Sequence, residues 1–215
     1  MAMPSATMKM ALIGADTLVA SAWKNGGGVT REIAAALARP TASQVRPAGG
    51  VSNAFVWRVS VADVGQPGPF SRFDGVDRTL VLLSGAGMTL VGAGGVRQVL
   101  RSPLERADFA GELAITAELH DGPTRDFNLM TRRDAARGSV EVWRSGASYA
   151  LRADVVLLFC ALGAPSVAVG DAAPVVLSPF DTLRVDDPPG GELRCAIGGD
   201  GVLLAAGVTL LDDEA

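Results

Sequence analysis

Lys24, Arg58, Arg72 and Arg78 are spread among amides, hydroxyls and glycines, a mixture suited to holding a small anion. Lys24 and Asn25 precede three consecutive glycines, Gly26-Gly27-Gly28, and Thr30-Arg31-Glu32 follow after Val29. Glycine lets a backbone enter positive-φ conformations and pass close to another segment or a ligand. The spacing is wrong for a phosphate loop: no Gly-Lys-Ser/Thr closes it, and Lys24 comes before the glycines. Nor is it a Gly-x-Gly-x-x-Gly dinucleotide turn. Further along, Phe55, Trp57, Val59 and Val61 alternate with Val56, Arg58, Ser60 and Ala62. A period of two gives a strand two faces, so Arg58 and Ser60 share one face. A guanidinium there has two uses. It makes an internal salt bridge to Glu32, Asp63 or Asp77, or it offers a two-pronged fork to a carboxylate ligand. Both hold together if Glu32 orients Arg58 from behind. Asp126-Phe127-Asn128 alternates too: with Phe127 in a core, Asp126 and Asn128 face the other way.

Metal and nucleophile chemistry find little support. The chain has one histidine, His120, and no His-x-His. Glu118 and His120 lie two apart, hence on one strand face, and offer two ligands where transition metals usually take three or four. No bound metal and no cofactor is expected. No Gly-x-Ser-x-Gly elbow occurs. Cys160 sits in Leu157-Leu158-Phe159-Cys160-Ala161, an apolar setting that raises a thiol pKa and suits a structural residue. Glu32, Asp126, Glu118, His120 and Tyr149 are the candidates for a general acid or base.

The elements that must position these groups are short strands. The chain has 215 residues, 48% hydrophobic and only 5% aromatic, with net charge −4 and a pI of about 5.0. No basic cluster marks a nucleic-acid surface, so no nucleic-acid partner is expected. No apolar run reaches the ~18 residues of a membrane span, so no membrane partner is expected either. Two cysteines, Cys160 and Cys195, make no disulfide framework and fit a reducing compartment. Met10-Ala11-Leu12-Ile13 and Ala20-Ser21-Ala22 imitate a signal peptide, but Asp16 interrupts the run, and a cytoplasmic location is expected. Runs at 79–84, 88–91 and 96–100 are parted by Gly85-Ala86-Gly87 and Gly92-Ala93-Gly94-Gly95, which predicts hairpins. Runs at 113–119, 140–143, 148–159, 175–177, 182–185, 193–197 and 202–211 continue in that style. Many short strands between Gly, Pro and Asp turns indicate a barrel or sandwich. One segment disagrees: Thr30–Arg39 has high helix propensity and stops at Pro40.

Four blocks in order carry a resemblance. They are Trp23 to Ala34, Phe55 to Ala62, Gly68 to Arg78 and Asp126 to Arg133. Together the chain resembles the HutD/Ves family, small bacterial proteins associated with histidine utilisation. It departs from the family in having Asp74 where a proline is usual, and in extra residues around 35–53, read as a long hairpin loop. The resemblance implies an all-β fold: a cupin-type (RmlC-like) β-barrel, duplicated into two packed barrels, a bicupin. The chain would then be a single compact unit of two cupin-like halves, about 1–130 and 131–215. The resemblance also implies a strand at Thr30–Ala34, against propensity. The ligand-binding set falls within or beside the blocks: Lys24, Asn25, Thr30, Glu32, Arg58, Ser60, Phe70, Ser71, Arg78 and Asn128. Trp23, Trp57 and Phe70 read as core or pocket wall. The expected function is a small-molecule binder taking an acidic histidine-degradation intermediate such as N-formylglutamate, and regulating or assisting histidine utilisation. The alternative is a metal-independent isomerase or hydrolase acting on a small acidic metabolite. Homodimerisation is left open.

Overall fold

The structure, a computed structural model, describes residues 8–37, 55–170 and 172–211. It is all-β, with three short 3-10 turns as its only helical pieces among the described residues. The chain divides into two compact units, Val19–Ala136 and the described residues of Met1–Leu18 with Arg137–Ala215.

The unit Val19–Ala136 holds two antiparallel sheets. The larger runs in the order Ala20–Ala22, Gly28–Leu37, Phe55–Val64, Thr124–Arg132, Val76–Ser84, Arg106–Ala110. The smaller runs Gly68–Pro69, Thr116–Leu119, Met88–Val91, Arg97–Leu100. Val64, Leu80 and Leu82 of the larger sheet pack with Met88, Leu90, Leu100 and Ala117 of the smaller. Alternation along each strand is what allows this: one face is aliphatic at one end and polar at the other. Register then lines up the polar end. Met130 lies opposite both Arg58 and Arg78, Asn128 opposite Ser60 and Leu80, and Asp126 opposite Ala62 and Leu82. Phe55, Trp57, Val59 and Val61 are all buried on the other face.

The second unit is built on one seven-stranded sheet. Lys9–Ile13, Thr182–Asp186, Val155–Val169, Glu192–Leu210 and Ala136–Arg144 follow one another across it. Ala147–Arg152 pairs with Glu192–Leu210, and Val175–Val176 with Val155–Val169. Its core includes Trp143, Leu158, Cys160, Leu183, Val185 and Leu203.

Several sequence expectations change here. Gly28–Leu37 is a strand, longer than Thr30–Ala34 and in place of the helix that propensity favours. Pairing with Phe55–Val64 along its length, and with Ala20–Ala22 near its start, outweighs the helix preference of its alanines, a few tenths of a kcal/mol each. The expected loop at 35–53 therefore loses 35–37 to the strand, and 38–53 lies outside the described residues. The run 148–159 is two strands, broken where the Ala153 N–H donates to the Gly191 carbonyl and the Asp154 carboxylate accepts the Leu210 N–H. The runs 193–197 and 202–211 are one strand, Glu192–Leu210. Its glycines bend it without ending it, because Gly163 and Gly201 pair at the bend and a Cβ on Gly163 would lie 2.3 Å from the Asp200 carbonyl. Among the described residues none of the three sheets closes into a barrel; in Val19–Ala136 the strands divide between two facing sheets instead. Among the described residues no helix is long and apolar enough to cross a membrane.

Candidate functional site

A cavity of about 550 Å³ opens at the polar end of the Val19–Ala136 sheets. Lys24, Asn25, Thr30, Arg58, Ser60, Phe70, Ser71, Arg78 and Asn128 all line it. Glu32, the tenth expected residue, is not in the wall. Its half-exposed carboxylate accepts the Arg58 Nε–H at 2.8 Å, and the Arg58 side chain is 13% exposed. Regular register places Glu32 opposite Ser60, two residues from Arg58 along the same strand, and so puts its carboxylate within reach of Arg58. Asp63 pairs instead with Arg31 and Arg125, and Asp77 with Arg133.

The glycine run builds the wall at Trp23. Gly26 sits at φ 69° and donates its N–H to the Trp23 carbonyl at 3.0 Å. The Asn25 side-chain oxygen accepts the Gly27 N–H at 3.0 Å, which closes the turn. Gly28 is needed for close approach: a Cβ there would stand 2.5 Å from the Asp63 carbonyl and 3.1 Å from the Trp23 ring. Trp23 in turn donates its indole N–H to the Thr30 hydroxyl at 2.8 Å and meets Phe70 edge-on, with ring centroids 6.1 Å apart.

Arg78 forms the floor. It is buried, and its guanidinium lies 5.4 Å from the Phe70 ring centroid, 5.7 Å from Phe73 and 4.9 Å from Phe109. Ring faces attract a cation, most strongly where water is excluded. Arg78 also donates to the Asn128 side-chain oxygen at 3.0 Å and to the Ser71 carbonyl at 3.4 Å. The Asn128 amide then donates to Asp126 Oδ1. Two atoms of this relay are left over. Arg78 Nε and Asp126 Oδ2 are buried and have no hydrogen-bond partner among the described residues. Burial raises the Asp126 pKa, the Arg78 charge and the Asn128 amide pull it back, and Asp63 adds a small upward push; the result is about 7. Burial lowers Arg78 to about 10, against the opposing effect of Asp126. At neutral pH the guanidinium stays charged and the carboxyl is poised between its two forms.

Asp126, Trp23, Arg72, Phe73 and Met130 line the cavity without belonging to the expected binding set. The alternation that turned Asn128 toward the cavity applies equally to Asp126, and was the available signal. The remaining acid–base candidates are engaged elsewhere. Glu118 pairs with Arg97, and the His120 ring meets the Thr89 hydroxyl at 2.8 Å. The Tyr149 hydroxyl donates to the Arg144 carbonyl and accepts its N–H. Cys160 and Cys195 are buried free thiols, each pushed up to about 11 by burial. Among the described residues no three His, Cys, Asp or Glu side chains gather as a cation site.

This combination defines an all-β protein with a half-open cavity of cations and amides around one buried acid. The chain belongs to the HutD family, whose model matches residues 15–205. An uncharacterized 21.2 kDa protein in the hutC 3' region of Pseudomonas putida is 34% identical over 165 residues, 76% of this chain and 80% of that one. Protein Ves of Cronobacter sakazakii is 41% identical over 121 residues, 56% of this chain and 59% of its own length. The solved structure of HutD from Pseudomonas fluorescens SBW25 is 29% identical, with TM-score 0.78 over 94% of this chain and 100% of that one. Ylba of E. coli, 12% identical with TM-score 0.64 over 96% of this chain and 93% of that one, shares the fold alone.

Proposed function

We propose that this chain is a HutD-type binder of a small acidic metabolite, associated with histidine utilisation and acting in the cytoplasm. Membership of the HutD family supports the pathway. The convergence of Arg58, Arg78 and Lys24 on one cavity whose wall holds a single acid supports the class of ligand. N-formylglutamate is the candidate: its carboxylates suit guanidinium forks, and its formamide suits Asn25, Asn128 and the hydroxyls of Thr30, Ser60 and Ser71. The finer architecture we read as a cupin-type duplication, with Val19–Ala136 as the opened, two-sheet form of one barrel.

Calorimetric titration of N-formylglutamate tests this reading. Removing a charge-assisted partner costs about 1.5–3 kcal/mol, so Arg58→Ala should lose roughly ten- to hundredfold in affinity. Arg58→Lys should recover only part of it, because an ammonium cannot make the planar two-pronged contact. A folded Arg58→Ala protein that binds with unchanged affinity removes Arg58 from the site. A wild type that binds neither this nor another acidic pathway intermediate overturns the reading itself. One observation favours the enzymatic alternative, a metal-independent isomerase or hydrolase. Asp126 is poised near neutrality inside the cavity, as a general acid–base must be. Product formation from a bound metabolite, lost in Asp126→Asn, would establish it.

A further inference from the structure

Asp126 is the only acid among the described residues lining the cavity, and anchoring the Asn128 amide occupies just one of its two oxygens. Its strand, Thr124–Arg132, lies between Phe55–Val64 and Val76–Ser84. The charged groups around it on the neighbouring elements are few. Arg78 comes from Val76–Ser84, and Arg58 and Asp63 from Phe55–Val64. Lys24 comes from the glycine turn, Arg72 from the segment after Gly68–Pro69, and Glu32, bound to Arg58, from Gly28–Leu37. One Asp126 oxygen is held by the Asn128 amide; the other is buried and has no partner among the described residues. No group seen here satisfies the second oxygen in either protonation state.

An ionised ligand in this cavity sets a second negative charge beside a buried carboxylate. Two carboxylates sharing a site of low dielectric do not both stay ionised, and the more disfavoured one takes a proton. Here that is Asp126, fully enclosed, while an incoming ligand can use the more open cations. Protonation also removes the competitor for Arg78, whose charge then serves the ligand. We propose that the cavity takes up a proton together with each carboxylate ligand, and that Asp126 is the group that accepts it. The inference rests on the reading of the cavity as an acidic-metabolite site and adds its regulation: occupancy follows pH as well as ligand concentration. Because burial already holds Asp126 near 7, a small further push from the ligand decides its state.

The test is calorimetry of the whole chain near pH 7.5 with N-formylglutamate and, separately, glutarate, in HEPES, triethanolamine and Tris. These buffers differ in heat of ionisation, so the slope of observed heat against buffer heat counts protons. Both probes are fully ionised at this pH and cannot supply the change themselves. The expected result is uptake of a substantial fraction of one proton per site, with affinity falling up to about tenfold per pH unit at higher pH. Asp126→Asn keeps the size and removes the titration, and should bind with no uptake and no such pH dependence. If that variant does not fold, the wild-type infrared difference spectrum decides: ligand binding must add a protonated-carboxyl band. Binding without uptake, uptake that survives in Asp126→Asn, or an infrared spectrum without the new band each overturns the proton linkage and leaves the binding function standing. Failure of both probes to bind overturns both.

Discussion

Replacing Arg78 with methionine removes the cation facing Asp126 but keeps a long apolar side chain among Phe70, Phe73 and Phe109. Two losses add. The first is the hydrogen bonding to Asn128 and Ser71, worth about 1.5–3 kcal/mol for a charged donor and present at every pH. The second depends on pH. Folded Asp126 titrates at about 7, because burial raises its pKa and Arg78 only partly offsets this. Its folded pKa lies above its unfolded one, so Asp126 contributes stability most fully at low pH and less as pH rises toward 7. Without Arg78 the folded value climbs further, while the unfolded value stays the same. Near pH 6 the carboxyl is protonated in both folded proteins, and the second loss vanishes. Above pH 7 only the wild type still gains from ionising, so the variant falls behind by up to about 1.4 kcal/mol per pH unit. The expected destabilisation is about 2 kcal/mol near pH 6 and about 3–4 kcal/mol near pH 8. Urea denaturation midpoints of both proteins across this range give the difference directly. A difference that stays flat with pH refutes the coupling of Arg78 to Asp126, and one that shrinks as pH rises refutes the burial argument.

Other outcomes follow from particular contacts. Gly28→Ala forces a Cβ to 2.5 Å from the Asp63 carbonyl and against Trp23, and should cost about 1–3 kcal/mol. Gly65→Ala, whose Cβ meets only the Gly27 carbonyl at 3.6 Å, serves as its tolerated control in thermal melts. A melting point unchanged by Gly28→Ala would mean that the turn relaxes freely. Cys160 and Cys195, raised to about 11 by burial, should resist thiol reagents near pH 8 until the protein unfolds. The double Cys→Ser variant should still bind ligand, and a native disulfide seen by intact mass would contradict the reduced state.

Much of the site was legible because strand alternation is a local rule. Phe55 to Ala62 sorted itself into two faces, and Arg58 with Ser60 landed on the cavity side as the period of two requires. The glycine run after Asn25 announced a special backbone, which became a positive-φ turn and a close approach to Trp23. Partnership at a distance was harder to read. Arg78 and Asn128 are bonded across 50 residues of chain, and nothing near either one names the other. The weight of Asp126 depends on that pairing and on complete burial, so its position was readable while its importance was not. Strand ends failed for a different reason. Ala34 to Leu37 look helical alone and become strand because Phe55–Val64 lies beside them. Gly198 to Gly201 look like a break, but the partner strand bends with them at Gly163.

The order in which the two units use the chain sets an order for making them. Every described residue of the cavity wall lies within the continuous stretch Val19–Ala136. On a ribosome this stretch can close its two sheets while the rest is still being translated, since domains fold as units from the N-terminal side. The other unit cannot. Lys9–Ile13 is made long before its partner Thr182–Asp186. Contacts so far apart in sequence are slow to form. The Lys9–Ile13 strand therefore waits without its partner until Thr182–Asp186 has been made, and its apolar Met10 and Leu12 are open to unwanted association in that interval.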